Sequence, residues 1–351
     1  MNILVTGGAG FIGSNFIRYL LNITDEHFIV NLDKLTYSGN LENLTDVEKG
    51  FSERYKFIKD DICNRETVRY IIKNYQIEAI INFAAETHVD RSIKEGSKLF
   101  IRTNILGTET LLSEGLSGDI RLYIQISTDE VYGSLGEEGI FTEKSVLSPT
   151  NPYSASKAGA DLLALSYFRT FRFPVVIVRS CNNFGPYQFP EKLIPLLITN
   201  AIEDKYLPIY GEGRNVREWI FVEDFCRAVY MIMNKSKLGE VYNISTGFQK
   251  RNIEVAELIL KKFSKGKDLI KFVEDRKGHD WRYSMDFSKV RNEIGWSPGM
   301  DFERGLVNTI KWYSENSRWV KNVKSGEYLK YYEKYYGLGG VKSSMKNEDK
   351  I

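Results

Sequence analysis

Tyr153 and Lys157 stand four residues apart in the stretch Pro152-Tyr153-Ser154-Ala155-Ser156-Lys157. That spacing predicts a helix opening with phenol and ammonium on one face. The ammonium is expected to favour phenolate and to lower a tyrosine pKa that starts near about 10. A phenolate so placed takes a proton from a hydroxyl while a hydride leaves the same carbon. Upstream, the apolar run Leu122-Tyr123-Ile124-Gln125-Ile126 predicts a strand, with Thr128, Asp129 and Glu130 just past its end. Adjacent carboxyls add a second acid/base pair. An oxidation base and an acid/base pair in one site imply chemistry of more than one step.

These groups need a scaffold. Residues 2–6 form a short apolar run, consistent with a buried parallel strand. Gly7-Gly8-Ala9-Gly10-Phe11-Ile12-Gly13 follows, and a helical pattern runs over 11–21. Gly7, Gly10 and Gly13 permit a tight turn, close approach of a pyrophosphate and packing of helix on strand. The helix start offers unpaired N–H groups and partial positive charge to phosphate. A second strand ends at Asp33, twenty residues after Gly13, where a ribose hydroxyl needs an acceptor. A carboxylate there repels a 2′-phosphate, so NAD is expected over NADP, an inference that neighbouring Lys34 weakens slightly.

The alternation continues with strands at 55–59, 79–83 and 175–179 and helices at 65–75, 98–114 and 153–171. It predicts an α/β fold, a Rossmann-type doubly wound parallel sheet covered on both faces. Ligands in such sheets bind beyond the carboxyl ends of the strands. The glycine turn, Ala84 and Ala85, Thr128 to Glu130 and the segment 180–183 all sit at strand ends, so they are expected to converge on one crevice. After residue 180 the pattern changes. Residues 181–190 read as a polar, proline-bearing loop and 208–214 as a short strand and turn. Residues 241–244 form a strand returning to the sheet, 253–263 a helix, and 275–283 a charged loop. Residues 1–180 are thus read as a cofactor-binding domain and 181–330 mainly as a smaller, discontinuous C-terminal lid. The polar stretch 339–351 reads as a disordered tail.

Composition excludes several classes. The 351 residues carry a net charge of +2, which implies no strong field for nucleic acid or membrane. Cys63, Cys181 and Cys226 lack metal-ligand spacing, and with His27, His88 and His279 scattered no metal site is expected. The amino terminus lacks the basic region and small-residue cleavage site of a signal peptide, and no apolar run is long enough to span a bilayer. A cytoplasmic protein is expected.

The stretches 6–14, 33–40, 84–92, 127–133, 153–157, 182–196 and 278–283 resemble the dTDP-glucose 4,6-dehydratases, a family of extended short-chain dehydrogenase/reductases. The resemblance extends to about residue 330. Thr128-Asp129-Glu130 before Val131-Tyr132-Gly133 is its most restrictive feature, because related epimerases and decarboxylases usually lack the acid pair. The resemblance implies tightly held NAD and a homodimer packed through helices near 98–114 and 153–171. It implies cofactor contacts from Gly7, Gly10, Phe11, Ile12, Gly13, Asp33, Lys34, Leu35 and Thr36. Asp61, Ile62, Ala84, Ala85, Thr103, Tyr153, Lys157 and Asn183 complete that set. For a nucleotide-diphosphate hexose it implies Thr87, Thr128, Asn182, Lys192, Leu193, Pro208, Tyr210, Arg217, Asn252, Arg276, His279 and Tyr283. Arg217 suits bidentate contact with phosphate.

The implied reaction has Tyr153 deprotonate the C4 hydroxyl as NAD takes the C4 hydride. Glu130 removes the acidified C5 proton, Asp129 protonates the departing C6 hydroxyl, and the hydride returns to C6. Three departures from the family pattern stand out: Lys277 for a usual Pro, Phe184 for Tyr, and Thr87 for Ser. Lys277 leaves the base and the hexose open, so UDP-glucose, UDP-N-acetylglucosamine and CDP-glucose stay beside dTDP-glucose. An epimerase and a non-catalytic NAD-binding regulator are weaker alternatives. Read alone, Asp129 and Glu130 are better taken as solvated acids capping a following turn, and His88 is as readily a packing or turn histidine as a ligand contact.

Overall fold

The computed structural model describes residues 1–325. The stretch 339–351, read as a tail, and the last residues of the expected lid lie outside the described residues. The strands β1 (Asn2–Thr6), β2 (Phe28–Asp33), β3 (Tyr55–Lys59), β4 (Ala79–Asn82), β5 (Leu122–Thr128) and β6 (Val175–Ser180) form one sheet. The strand Val241–Ile244 extends it at the β6 edge, and all seven strands are parallel.

These strands are apolar along their length because both faces are covered. Ile3, Val5, Ile81, Ile124 and Val176 pack into one core, while Leu4, Ile80, Tyr123, Val175 and Ile177 alternate into another on the opposite face. Each such burial contributes roughly 1.5–3 kcal/mol. From β1 the chain builds outward through β2 and β3, then returns to place β4, β5 and β6 on the other side. The strand order therefore reverses between β1 and β4, where a crevice opens beyond the carboxyl ends. A polar ladder crosses the sheet at that point. Thr6 Oγ1 donates to Asn82 Oδ1 at 2.6 Å, and Asn82 Nδ2 donates to Gln125 Oε1 at 2.9 Å.

Two expectations need correction. β5 does not stop at Ile126; it pairs through to Thr128, which lies opposite Ser180 on β6. Thr128 is thus held by the sheet, and only Asp129 and Glu130 lie past the strand. The helix expected over 98–114 is continuous helical backbone in three parts. An α-turn, Lys98–Phe100, passes into a π-helical stretch, Ile101–Gly107, and then into α-helix Thr108–Leu116. The π stretch coincides with polar anchoring: Thr108 Oγ1 donates to the Asn104 carbonyl at 2.7 Å, and the Asn104 side chain is bound elsewhere. π-Turns of this kind recur at functional sites.

Beyond β6, the strands β7 (Asn182–Phe184), Val216–Phe221 and Gln249–Arg251 form a three-stranded sheet. Leu207–Tyr210 pairs in parallel with Ile270–Val273. Their core is separate, built on Phe184, Ile198, Leu207, Trp219, Phe221, Ile259 and Leu306. This lobe is fastened to the first. Trp319 Nε1 donates to Asn43 Oδ1 at 2.8 Å, Asn15 Nδ2 to the Pro186 carbonyl at 3.0 Å, and Arg18 lies 4.4 Å over the Tyr187 ring. No helix among the described residues is long and apolar enough to cross a membrane.

Candidate active site

The crevice floor on the β1 side is a cradle only glycine can make. Gly7 has φ +69°, and a Cβ there would lie 2.6 Å from the backbone nitrogen of Ala84. A Cβ on Gly13 would lie 2.4 Å from the Gly7 carbonyl, so helix Phe11–Ile23 could not seat on β1. That helix starts at Gly10 with no side-chain cap and no acid in its first turn. Its first N–H groups line the crevice and are available to phosphate. Asp33 accepts from Ala9 N at 2.9 Å and Leu35 N at 2.8 Å, and burial raises its pKa against those bonds. Leu35 supports Asp33 in this way from φ +58° and does not line the crevice. Lys34 pairs with Asp61 at 2.7 Å, which turns its charge away from Asp33. Thr36, Asp61, Ile62, Ala84, Ala85, Thr103 and Asn183 line the same space. Tight glycines, uncapped amides and a buried acid at the end of β2 fit a dinucleotide, with Gly10 to Gly13 toward its diphosphate and Asp33 toward a ribose.

Thr128, Asp129, Glu130, Tyr153 and Lys157 line the other half. Helix Pro152–Phe171 begins with a capping box: Asn151 accepts from Ser154 N, Ser154 answers the Asn151 N–H, and Pro152 fixes the first turn. Asn151 Nδ2 also donates to Glu130 Oε2 at 3.4 Å, so one cap orients the helix and holds an acid. Asp129 is buried, accepts from Thr128 Oγ1 at 3.0 Å through Oδ1, and has no hydrogen-bond partner for Oδ2. Burial first, then the charge of Glu130, raise its pKa well above the carboxylate range, and the Thr128 bond opposes them. The Asp129 carboxyl therefore holds a proton more readily than an exposed aspartate does.

The expected pairing of Tyr153 with Lys157 takes a different form. Lys157 donates to the Ile126 carbonyl at 2.6 Å, and burial lowers its pKa to about 8. Burial and the charge of Glu130 raise the Tyr153 pKa well above its ordinary value, opposed by hydrogen bonding to Thr128. Sharing a helix face does not by itself deliver the ammonium to the phenol, because a strand carbonyl competes for it. In this state Tyr153 is a neutral phenol.

The remaining candidates divide. Thr87, Asn182 and Lys192 line the crevice, with Lys192 Nζ on the Thr87 carbonyl at 2.9 Å and Asn182 Oδ1 buried without a partner. Leu193, Pro208, Tyr210, Arg217, Asn252, Arg276, His279 and Tyr283 belong to the second lobe and are not part of that lining. Several still gather beside the acids: the charge on Glu130 acts on Arg276 and Tyr283, and Arg217 acts on Asp129. Arg217 does not present the open fork expected for phosphate. Its guanidinium donates to the carbonyls of Val216 at 2.8 Å and Asp280 at 2.9 Å, and it stacks 4.4 Å over Tyr283. His279 sits 2.6 Å from Asp275, and Tyr210 donates to Asp90 at 3.0 Å. His88 caps the turn Val89–Lys94 through Nδ1, and burial lowers its pKa. Ser127, Gln188, Phe189 and Glu191 also line the crevice and were not read from the sequence. Glu191 next to Lys192 was the available signal, a charged pair inside an otherwise apolar run.

Residues 4–309 match the family model described as GDP-mannose 4,6 dehydratase. The chain belongs to this family. It is 47% identical over 329 residues to dTDP-glucose 4,6-dehydratase of Streptomyces niveus, covering 93% of this chain and 96% of that one. It is 50% identical over 315 residues to a low-salt glycan biosynthesis protein of Haloferax volcanii, covering 89% and 98%. Among solved structures it is similar to dTDP-glucose 4,6-dehydratase of Streptomyces venezuelae, determined with NAD bound, at TM-score 0.89 and 43% identity over 92% of this chain and 100% of that one.

Proposed function

We propose that this protein is an NAD-dependent nucleotide-sugar 4,6-dehydratase, converting dTDP-glucose to dTDP-4-keto-6-deoxyglucose and water. The observation that carries this reading is Asp129, buried and unpaired at Oδ2, beside Glu130 and Tyr153 in one crevice, where burial and the charge of Glu130 favour its acid form. An epimerase has no use for a carboxylic acid aimed at a departing hydroxyl. The similarity to dTDP-glucose 4,6-dehydratases over nearly the whole chain supports the same reading.

Gly7, Gly10, Gly13 and Asp33 would hold NAD, which would supply a hydride acceptor for C4, a hydride donor for C6 and a positive charge in the crevice that Tyr153 lines. This chain handles the protons. Tyr153, steadied by Thr128, takes the proton of the C4 hydroxyl as phenolate, the form that a positive charge beside it favours. The resulting ketone acidifies C5, whose proton goes to Glu130. Asp129 protonates the C6 hydroxyl, which leaves as water, and C5 is reprotonated as the hydride reaches C6. Lys157 fixes the strand end at Ile126 on which Thr128 to Glu130 depend. Thr87, Asn182 and Lys192 face the hexose. Arg276, with Arg217, Tyr210, Asn252, His279 and Tyr283, makes the wall for the nucleotide diphosphate.

Exposed Leu99, Ile101 and Leu106 on one helical run, and Leu162 on helix Pro152–Phe171, support a homodimer through those helices. The three cysteines are free thiols, two of them buried, which suits the cytoplasm. The test is to incubate the purified protein with dTDP-, UDP- and CDP-glucose and UDP-N-acetylglucosamine and to weigh the products. Loss of one water from dTDP-glucose ahead of the others is expected. Conversion to an isomer of unchanged mass would replace this reading with epimerisation.

A further inference from the structure

The loop after Asp33 does more than carry a ribose acceptor. Thr36, Ser38 and Gly39 line the crevice from one side, and Gln188, Phe189 and Glu191 line it from the other. Tyr37, between the first group, reaches across to the second. Its hydroxyl donates to Glu191 Oε1 at 2.9 Å, over 154 residues of sequence. Its ring meets Phe189 edge-on at 5.8 Å, and the Arg91 guanidinium lies 3.9 Å over its face. The loop itself is anchored: Asn40 N donates to the Ala9 carbonyl at 3.0 Å, and Asn43 Nδ2 to the same carbonyl at 2.9 Å.

We propose that Tyr37 and Glu191 form a clasp across the mouth of the crevice that retains the bound dinucleotide. The proposal rests on the reading of this crevice as an NAD site. The geometry points to retention because one end of the clasp grows from the segment that follows Asp33 and the other from the second lobe. A dinucleotide lying on the glycine turn and Asp33 could leave past this loop only after the hydrogen bond and the ring contacts separate. Burial and ring stacking pre-form the clasp, so little ordering is needed to close it. Glu191 is buried, and burial raises its pKa to about 7, so the charge-assisted form of this bond belongs to pH values above that.

Tyr37→Phe tests this, because it keeps the ring, the Phe189 contact and the Arg91 stack while removing the hydroxyl. Protein loaded with NAD is diluted into buffer containing excess ADP-ribose, and released NAD is measured over time. Release about tenfold faster than wild type is expected, beside the modest fall in the melting temperature of the NAD-free protein that an unpaired Glu191 carboxyl brings. Glu191→Leu should accelerate release comparably, and the double variant should add little to either change. Wild-type release rates in Tyr37→Phe would overturn the clasp while leaving the cofactor site intact. Failure of the wild-type protein to load NAD would instead remove the cofactor reading, and the clasp with it.

Discussion

Asp129 is where structure and chemistry conflict most openly. A buried carboxyl beside a second acid is costly to ionise, and burial with the Glu130 charge shifts it toward its protonated form. The cost has a pH signature. An acid whose folded pKa is raised binds its proton more tightly in the folded chain, so stability falls as pH rises from about 3.9 toward the folded value. Asp129→Asn removes that penalty. The variant is expected to be more stable than wild type by roughly 1–2 kcal/mol at neutral pH, with the gap closing as pH falls below about 4. Urea titrations of both proteins across that range measure it, and an unchanged gap at all pH values would place the excess stability elsewhere. Lys157 gives the opposite slope. Its folded pKa, lowered to about 8, means that the cofactor-free protein gains stability relative to Lys157→Met as pH rises from about 8 to about 10.4. The residue types were legible: a phenol and an amine four apart, two adjacent acids, glycines at a turn. Their protonation was not, because it depends on burial and on a strand carbonyl that captures the lysine.

At the scale of elements, the π-helical stretch Ile101–Gly107 joins two parts of the site. The Asn104 side chain accepts from Glu86 N at 2.9 Å and donates to the Glu86 carbonyl at 3.0 Å and to Ser156 Oγ at 2.8 Å. Ser156 in turn donates to the Tyr153 carbonyl at 2.6 Å. The loop after β4 and the first turn of helix Pro152–Phe171 are thus tied through one amide. Asn104→Ala leaves the Glu86 backbone groups buried without that partner and should cost about 2–4 kcal/mol. Its urea midpoint should fall accordingly, with a further loss of turnover as Tyr153 loses its support. A midpoint within error of wild type would mean that the chain between Glu86 and Tyr153 is dispensable. Periodicity identified this helical run but not its π-turn. Strands buried on both faces read clearly, since each needs only an unbroken apolar run. The ladder from Thr6 through Asn82 to Gln125 leaves no local trace, because its members lie on three strands far apart in sequence.

At the scale of the whole molecule, two lobes meet over the crevice, and the exposed apolar side chains Leu99, Ile101, Leu106 and Leu162 lie on helices behind it. If those helices form the dimer, Ile101→Asp with Leu162→Glu should halve the mass seen by light scattering while leaving the far-ultraviolet dichroism intact; an undiminished mass would place the interface elsewhere. The second lobe was the hardest part to read. Its strands are short, its core is separate, and its arginines are engaged by carbonyls that no motif announces. This crevice is expected to oxidise first and eliminate second, with Asp129 needed only for the second step. Rapid mixing of NAD-loaded Asp129→Asn with dTDP-glucose, following reduced-cofactor absorbance and product mass together, tests it directly. Reduced cofactor is expected to build up at near the wild-type rate, while dehydrated product forms about a hundredfold to ten-thousandfold more slowly. Dehydration at the wild-type rate would contradict the account.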